Sequence, residues 1–450
     1  MGSAETGPPR SGRSRQGFHP AGRSIEKTTI STCYVGPFLL SSEQDRGSRI
    51  VVRGSLHENI EQSDIVVVGA GLYGITMARQ IADILGRRVA VLDRRPHIAG
   101  NAFSEVDEQT GIEVHRYGSH LFHTSNQRVW EFVNRFTGFN GYVHHVMTTH
   151  DGVVYPLPIG LGTINSFFRT ALSPDEARKL IARQAGEHDL DPDASLEASA
   201  VRQIGRPLYD AFIRGYTKKQ WQVDPADLPA DVIRRLPVRF TYDQRYFSDT
   251  WEGLPLCGYT ELCRRMLDHE LISVDLDVDY FDLASEVRNG RLIIYTGAVD
   301  RFFDFRFGPL GWRTLDFEFE HVAVNDLQGT SVMNFADEDV PYTRIHEFKH
   351  LHPERRPTPG QTVIAREYSR LATRTDEPYY PINTPADRSR AREYRDAADE
   401  VPGVVFGGRL GSYQYLDMHM AIASALSVFE KTVHPAIAAG TPLDQIRTLS

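Results

Sequence analysis

Three glycines, Gly69, Gly71 and Gly74, are spaced so that they can bind phosphate. They follow a short β-branched run and precede a helical pattern, and a second strand-like run ends at Asp93. In such a unit the three glycines allow, in order, a tight turn, a close approach of the backbone to a pyrophosphate, and packing of helix on strand. Asp93 lies 19 residues beyond Gly74, where an acid can accept hydrogen bonds from ribose hydroxyls. The pattern predicts a dinucleotide site; the alternative is a glycine-rich turn in an ordinary α/β core.

A second glycine-rich turn lies near the carboxyl end, far from the first. Residues 403–433 read as a strand, a turn and a helix. NAD enzymes usually complete the nucleotide site within one contiguous fold, whereas two-loop flavoproteins place the ribityl chain and the isoalloxazine at the distant loop. Asp417 is placed to cap the last helix, whose free N–H groups would stabilise negative charge on a reduced flavin. FAD is therefore favoured over NAD.

Length and composition indicate a globular protein of two or three domains. The chain has 450 residues, and 50 basic against 59 acidic residues give a net charge of −9, which argues against nucleic-acid binding. No apolar run approaches the roughly 20 residues that cross a bilayer. The cysteines, Cys33, Cys257 and Cys263, are odd in number and lack metal-ligand spacing, which predicts reduced thiols and a cytoplasmic location. Residues 1–62 lack periodicity and are expected to form a disordered extension.

Between the two glycine turns the pattern changes from strand to helix and back. Asp151-Gly152 between two strand-like runs predicts a β-hairpin within 144–158. Three helices are predicted at 173–184, 195–205 and 207–221, the last broken near Gly215. Strands are predicted after Pro237, at 238–242, 274–278 and 291–297, followed by an antiparallel meander at 330–336, 342–350 and 361–369.

A series of motifs in one order resembles the bacterial-type UDP-galactopyranose mutases. The resemblance runs from about residue 63 to 430, and a generic FAD oxidoreductase would share only its first and last motifs. The matching stretches are Val67–Gly74, Val91–Phe103, Tyr117–Thr124, Gly215–Trp221, Arg234–Asp249, Leu292–Gly308, Val340–His350, Asp376–Asn383 and Val404–His419.

The resemblance implies an α/β fold with three parts. These are a FAD-binding, Rossmann-like βαβ domain assembled from separate segments (63–135, 271–304 and 386–450), an inserted helical substrate domain (159–236) and an antiparallel β-sheet domain (136–158, 237–270 and 305–385). It also implies a cytoplasmic homodimer that serves galactofuranose biosynthesis for the cell wall.

The family reaction interconverts UDP-galactopyranose and UDP-galactofuranose and requires reduced FAD. N5 of the flavin attacks the anomeric carbon and displaces UDP, the adduct opens as an iminium, and the 4-hydroxyl closes the ring before UDP returns. The cofactor is thus the covalent catalyst. The sequence does not identify the reductant of the flavin.

By match to the family, Arg235 and Arg344 clamp the diphosphate, because arginine is a planar donor suited to phosphate oxygens. Without the family resemblance, Arg235 would be interpreted as a surface charge, and Arg344 would be interpreted as an exposed residue paired across strands. Tyr216, Thr217 and Trp221 match positions near uridine, although tyrosine and tryptophan at a helix end are more often core residues. The tyrosines expected near the diphosphate or sugar are Tyr246, Tyr415 and one of Tyr379 and Tyr380.

The resemblance also implies which residues form the flavin side of the site. Its residues are Gly69, Gly71, Tyr73, Gly74, Asp93, Arg94, Asn101, His120, Gly408, Arg409, Tyr415, Asp417 and Met418. His123 is expected beside the flavin ring, so the catalytic set comprises Arg235, Arg344, His123, Tyr380 and Tyr415. His120 and His123 lack a third ligand at fixed spacing, so no metal is expected. The alternative interpretation of Asp417 is that it simply caps the last helix.

Three departures from the family pattern and two rival functions remain. The extension of about 60 residues at the start of the sequence has no counterpart in the family. Asp93 stands where the family usually has Glu, and Ala99 replaces a glycine, which matters only if that position needs positive φ. One rival is a flavin-dependent oxidoreductase of the amine or polyene oxidase type. The other is a flavin-binding scaffold without turnover. Neither needs a UDP clamp, so the two arginines argue against both.

Overall fold

Short β-branched runs form the strands and capped runs form the helices. A computed structural model describes residues 55–186, 190–230, 238–288 and 290–448. The strands are β1 Ile65–Val68, β2 Val89–Leu92, β3 Ser104–Val106, β4 Glu113–His115, β5 Phe122–Thr124, β6 Val146–His150, β7 Val153–Leu157, β8 Trp251–Gly253, β9 Ile272–Asp275, β10 Leu292–Tyr295, β11 Trp312–Val322, β12 Val332–Phe335, β13 Arg344–Glu347, β14 Thr362–Leu371, β15 Tyr380–Pro381 and β16 Val404–Phe406.

The α-helices are α1 Leu56–Glu61, α2 Leu72–Gln80, α3 Gln127–Asn134, α4 Leu161–Phe168, α5 Pro174–Gly186, α6 Leu196–Ile204, α7 Arg206–Leu208, α8 Gly215–Trp221, α9 Tyr259–Leu267, α10 Ala284–Val287, α11 Val299–Phe302, α12 Pro385–Asp399, α13 Gly408–Gly411, α14 Met418–Val428 and α15 His434–Ala438. Single π-helical turns lie at Ile81–Leu85, Tyr209–Arg214 and Phe429–Val433. Short 3₁₀ turns lie at Gly100–Ala102, Pro225–Asp227, Tyr280–Asp282, Phe348–Leu351 and Leu443–Gln445. No described helix is long and apolar enough to span a membrane.

A five-stranded parallel sheet carries both glycine-rich turns. Its strand order is β16–β10–β1–β2–β9, and every residue of β2 and β10 is buried. Such burial is expected where helices cover both faces of a parallel sheet. One face packs with α2, α9 and α14, and the other packs with α12. The strands come from three stretches well separated along the chain, so the Rossmann-like part is assembled from separate segments. The domain boundaries stay a prediction.

A seven-stranded, largely antiparallel sheet lies beside the helical insertion. Its order is β15–β11–β14–β13–β12–β6–β7, and the meander β12–β13–β14 agrees with the sequence prediction. The hairpin β6–β7 turns at Asp151 and Gly152, whose φ values of 49° and 72° are the positive values that a tight hairpin turn requires.

The helices α4 to α8 bury a core of their own. Ile164, Ile181, Val201 and Phe212 lie within it. Ser195 caps α6 by accepting a hydrogen bond from the N–H of Ala198, as its place before an apolar run predicts. The fold is therefore α/β, with a Rossmann-like domain, a helical insertion and an antiparallel sheet.

Three sequence predictions differ from the structure, and one strand was not predicted. Residues 238–242 make only an isolated bridge at Arg239 instead of a strand. Strand β11 was not predicted, although Phe317 and Phe319 alternate with acids along it. Gly215 is helical, and the change in helical hydrogen bonding lies in the π turn before it. The predicted disorder is wrong for residues 55–62, because Ser55 and Glu58 form a capping box on α1. Residues 1–54 lie outside the described part.

Candidate functional site

A first cavity of about 690 Å³ lies where the first glycine turn meets the parallel sheet. Gly69 has a φ of 110°, and a Cβ there would overlap the hydroxyl of Thr296. A Cβ on Gly74 would overlap the carbonyl oxygen of Gly69, so α2 can pack on β1 only through a glycine. Gly71 faces open space instead, since the nearest atom to its Cβ would be 4.0 Å away. The turn therefore presents bare backbone and the start of α2 to the cavity, a suitable place for phosphate.

Asp93 holds the first glycine turn in place through two hydrogen bonds. Its Oδ2 accepts a hydrogen bond from the N–H of Ala70 at 2.7 Å, and its Oδ1 accepts one from the N–H of Arg95 at 2.9 Å. The carboxylate is buried but still lines the cavity. Each carboxylate oxygen has a second lone pair. The shorter acid thus fixes the loop while remaining available to a ribose hydroxyl.

The second glycine turn closes the same cavity from the opposite side. Gly408 has a φ of 74°, and a Cβ on Gly407 would overlap the ring of Tyr73. The hydroxyl of Tyr73 is buried and has no hydrogen-bond partner among the described residues. Arg94 also lines the cavity, where it pairs with Glu377 at 2.6 Å. A glycine cradle on each side and an unpaired buried hydroxyl fit a flavin dinucleotide.

The first cavity opens into a second one of about 1300 Å³. Five residues line both: Asn101, His120, Arg409, Leu416 and Met418. Arg409 is fixed at this junction, because its guanidinium donates to the carbonyl oxygens of Leu416 at 2.6 Å and Tyr379 at 3.1 Å. A flavin that fills the first cavity would therefore reach the second past a fixed cation.

The second cavity carries an excess of positive charge. The described lining residues include seven arginines and three carboxylates. The arginines are Arg239, Arg313, Arg344, Arg388, Arg392, Arg395 and Arg409, and the carboxylates are Asp249, Glu367 and Asp417. An excess of four arginines over carboxylates favours a ligand with several negative charges, such as a diphosphate.

Arg344 is a cation of this cavity that faces a buried carboxylate. Its Nη2 donates to the hydroxyl of Tyr216 at 2.5 Å, and its Nε lies 3.2 Å from Oε1 of Glu367. Burial opposes the charged form, but Glu367 and the surrounding tyrosines hold the pKa of Arg344 well above its ordinary value. Glu367 is itself fixed by Nε2 of His346 at 3.0 Å. Arg344 is thus a permanently charged, oriented donor with 31% of its side chain exposed.

Aromatic side chains line the cavity around Arg344. Tyr380 and Tyr415 stack with ring centroids 5.6 Å apart, and the guanidinium of Arg409 lies over both rings. Tyr379 is 4% exposed and packs against Tyr117. Of the two candidates, Tyr380 is therefore the tyrosine nearer to the arginines. The predicted aromatic residues that line the cavity are Tyr216, Trp221, Tyr246, Tyr379, Tyr380 and Tyr415.

Two predicted substrate residues are not placed in this cavity. Thr217 is buried, with 7% of its surface exposed, and it is not among the described lining residues, so we do not retain it as a substrate contact. Arg235 lies outside the described residues, which resume at Val238. Its role stays a prediction.

The two histidines of the SHLFHT motif lie in different surroundings. His120 lies at the junction of the cavities, and its burial lowers its pKa to about 4. His123 lines only the second cavity, where it stacks on Phe247 and its Nδ1 lies 2.6 Å from Asp249. The structure therefore places His120, rather than His123, next to the flavin cavity.

Asp417 occupies the cap position of α14 but does not act as the predicted cap. Its backbone is extended, and its side chain makes no capping hydrogen bond. The carboxylate instead groups with His123 and His419. Since the cap bond is missing, the side chain of Asp417 does not satisfy the first N–H groups of α14.

Several important residues were not predicted from the sequence. Glu367 was visible only as one position in a strand, and its significance depends on the strand register that places it opposite Arg344. His419 directly follows the predicted residue Met418, but its neighbour His123 comes from a distant strand. Asp249 lies in a matched motif without a periodic signal. These missed partners are Asp249, Arg313, His346, Glu367 and His419.

Comparison with known proteins agrees with this geometry. The sequence model of the family described as UDP-galactopyranose mutase matches residues 211–415, and that of an NAD(P)-binding Rossmann-like domain matches residues 67–136. A "Probable UDP-galactopyranose mutase" from Klebsiella pneumoniae is 42% identical over 83% of this chain and 95% of its own length. A dTDP-fucopyranose mutase from Escherichia coli is 41% identical over 80% of this chain and 96% of its own length.

A solved structure supports the same fold. The crystal structure of a reduced UDP-galactopyranose mutase matches with a TM-score of 0.63 at 14% identity, and the match covers 86% of this chain and 98% of that one. At that identity the likeness concerns the fold alone. The relative that is 42% identical over nearly its whole length identifies the family. The chain belongs to the UDP-galactopyranose mutase family of isomerases.

Proposed function

We propose that this protein interconverts UDP-galactopyranose and UDP-galactofuranose with reduced FAD as its cofactor. The observation that carries the proposal is the oriented, permanently charged Arg344 in a cavity that opens directly into the predicted flavin cavity. A leaving diphosphate needs such a fixed cation, because the charge on its oxygens increases as the bond to the sugar breaks.

The two cavities would bind different ligands. The first would hold FAD through the glycine turns, Asp93 and the start of α2. Reduced FAD, when bound, supplies a nucleophilic N5 for the anomeric carbon, which is the covalent route expected from the family. The second cavity would hold the nucleotide sugar, with Tyr216 and Trp221 beside the base and Arg344 at the diphosphate.

The protein's own residues then orient the substrate. Arg344 and Arg409 would fix the diphosphate on the flavin side of the second cavity, and Tyr380 and Tyr415 would pack against the sugar or the phosphates. Glu367 acts through Arg344, whose guanidinium it fixes from behind. Arg235 is expected to complete the clamp.

A second substrate is favoured by one specific observation. The relative named dTDP-fucopyranose mutase is 41% identical, against 42% for the UDP-galactopyranose relative. Overall identity therefore does not separate the two nucleotide sugars. They differ in the base, the ribose 2′-hydroxyl and the sugar C6 substituent, so a direct comparison of substrates is required.

The test is anaerobic turnover of UDP-galactofuranose by the purified protein in its oxidised and dithionite-reduced forms. The sugar nucleotides are separated by chromatography, and dTDP-fucofuranose is assayed in parallel. Conversion of UDP-galactofuranose only after reduction would support the proposal. Faster conversion of dTDP-fucofuranose would reassign the substrate. No conversion of either substrate, together with oxygen consumption in a separate aerobic assay, would favour an oxidase.

The remaining family expectations are proposals as well. A homodimer is checked by light scattering during size-exclusion chromatography. The free thiols of Cys257 and Cys263 are consistent with a reducing compartment such as the cytoplasm. The physiological reductant can be sought by testing whether NADPH or NADH supports turnover in place of dithionite.

A further inference from the structure

His123 and Asp417, which line the second cavity, form a cluster of potential metal ligands with the neighbouring His419. One ligand atom from each lies within 4.8 Å of those from the other two. The sequence argued against a metal because His120 and His123 lacked a third ligand. The fold instead brings His123 on β5 against the first turn of α14, which supplies Asp417 and His419.

We propose that this cluster binds a divalent transition-metal ion of the Zn²⁺ type and that the bound ion inhibits turnover. Two imidazoles and one carboxylate suit Zn²⁺, Ni²⁺ or Cu²⁺ better than Mg²⁺ or Ca²⁺, which prefer oxygen ligands. The inhibition, but not the binding, rests on the proposed function.

The ligands are largely free to bind an ion. Nδ1 of His419 is buried without a hydrogen-bond partner among the described residues, and the Asp417 carboxylate makes no cap hydrogen bond. Because bonds to zinc are about 2.0 to 2.2 Å, ligand atoms in a tetrahedral site lie about 3.4 Å apart, so the cluster would contract by about 1.4 Å or less.

A second carboxylate supports the site from behind. Oδ2 of Asp249 lies 2.6 Å from Nδ1 of His123, which leaves Nε2 of this ring for the ion. A carboxylate that orients a metal-ligating histidine in this way is a recurrent arrangement. Asp249 and Asp417 together also offset the two charges of the ion, in a cavity otherwise rich in arginine.

The position of the cluster explains why binding would inhibit. Asp417 lines the second cavity between Leu416 and Met418, which both reach the flavin cavity. An ion held by Asp417 would place a new positive charge and bound water beside the sugar. The substrate would then have to displace the ion or bind in a different position.

The binding test uses the holoprotein without a histidine tag, freed of metal with EDTA and dialysed. Titration calorimetry with Zn²⁺ should show one site, and Co²⁺ should give a visible absorption band at wavelengths longer than those that oxidised flavin absorbs. The variants are H419N, D249N and, as a control, H150N, which disrupts the surface cluster of His150, Asp151 and Asp337. D249N should weaken binding by about 10- to 100-fold, and H419N by at least as much. H150N should bind like the wild type.

Three results would overturn the proposal. They are no heat or absorption with metal up to millimolar concentration, equal binding by H419N and the wild type, or loss of binding only in H150N. In the activity arm, Zn²⁺ should inhibit turnover competitively with the nucleotide sugar, and EDTA should restore it. A protein that binds Zn²⁺ but has no mutase activity would refute the proposed function and leave the metal site intact.

Discussion

Arg344 and Glu367 face each other across two antiparallel strands, with Nε of the arginine 3.2 Å from Oε1 of the glutamate. The guanidinium also donates a hydrogen bond to the hydroxyl of Tyr216, and the carboxylate is also hydrogen-bonded to Nε2 of His346. Glu367 is 3% exposed, so its charge is compensated by protein groups rather than by water. The pair therefore fixes the direction of the arginine, and the arginine in turn keeps the glutamate ionised.

Replacing Arg344 by Ala should leave flavin bound but lower kcat/KM by about 100- to 1,000-fold, the usual effect of losing one oriented donor to a developing charge. The measurement is turnover by the reduced variant, with flavin content taken from its absorbance. Arg344→Lys is the matched control and should recover only part of the activity, since a lysine cannot bond Tyr216 and Glu367 in the same fork geometry. Wild-type turnover by the alanine variant would remove Arg344 from the site.

Glu367→Gln tests whether the glutamate acts through the arginine. The amide retains the shape of the side chain but not its charge, so Arg344 should remain in place with weaker orientation. We expect kcat to fall by about 10-fold while flavin binding is unchanged, because losing the ionic partner of Arg344 weakens its orientation, and about 1.4 kcal/mol of lost transition-state stabilisation lowers a rate tenfold. An unchanged kcat would show that Glu367 has a structural role only. The conservative variant Glu367→Asp keeps the negative charge, so its kcat should fall less than that of Glu367→Gln.

The glycines of the first turn can be separated by their roles. Gly74→Ala should disrupt the packing of α2 on β1, because its Cβ would overlap the carbonyl of Gly69. Gly71→Ala should fold normally, since its nearest neighbour lies 4.0 Å away and its φ is −83°. The methyl group would nevertheless occupy space needed by phosphate. Circular dichroism should therefore show a folded Gly71→Ala and an unstable Gly74→Ala, and the visible absorbance of Gly71→Ala should show a reduced flavin content. Full flavin content in Gly71→Ala would contradict the phosphate assignment.

Ala99 lies in the left-handed region with a φ of 73°, where the family pattern has a glycine. A non-glycine residue in this conformation costs about 1 to 2 kcal/mol. Ala99→Gly removes this strain but increases the entropy of the unfolded chain, so a net stabilisation of about 0.5 to 1 kcal/mol is expected. Thermal unfolding of the holoprotein measures it. The control is Ala397→Gly within helix α12, which should instead destabilise by about 1 kcal/mol. A lower melting temperature for Ala99→Gly would show that the methyl group packs favourably.

Patterns local to one segment were predicted well. The turn at Gly69 to Gly74, the hairpin at Asp151 and the cap at Ser195 each depend on a few neighbouring residues, and the chain forms them as their chemistry requires. The residues of both cavities were found mostly through the family resemblance. Tyr216 or Trp221 alone would have read as ordinary core residues.

Relationships between distant segments were not predicted. Glu367 depends on the register of two strands, and His419 depends on the packing of α14 against β5. Strand β11 was missed although its phenylalanines alternate with charged residues, which is a local strand signal; only its pairing with β14 depends on a distant segment. The helix α1 was missed because its stability depends partly on Asn59, whose buried amide bonds the carboxylate of Asp275 at 3.1 Å.

Acid should destabilise this protein through buried neutral histidines. Burial lowers the pKa of His115 and of His144 to about 3, and that of His120 to about 4, against 6.5 for an exposed histidine. Below pH 6.5 the unfolded chain therefore binds protons that the folded protein does not. Stability is fully present above pH 6.5 and is lost as the pH falls toward the folded pKa values, by up to about 1.4 kcal/mol per pH unit for each histidine.

Thermal unfolding between pH 7 and pH 5 isolates this effect, because carboxylates titrate mainly below that range. His115→Gln should reduce the dependence of the melting temperature on pH, since glutamine can accept the hydrogen bond from the N–H of His120 without binding a proton. His321→Gln is the matched control on an exposed histidine and should keep the wild-type slope. If all three proteins lose stability equally over this range, the buried histidines do not govern acid unfolding, and exposed ion pairs would have to account for it.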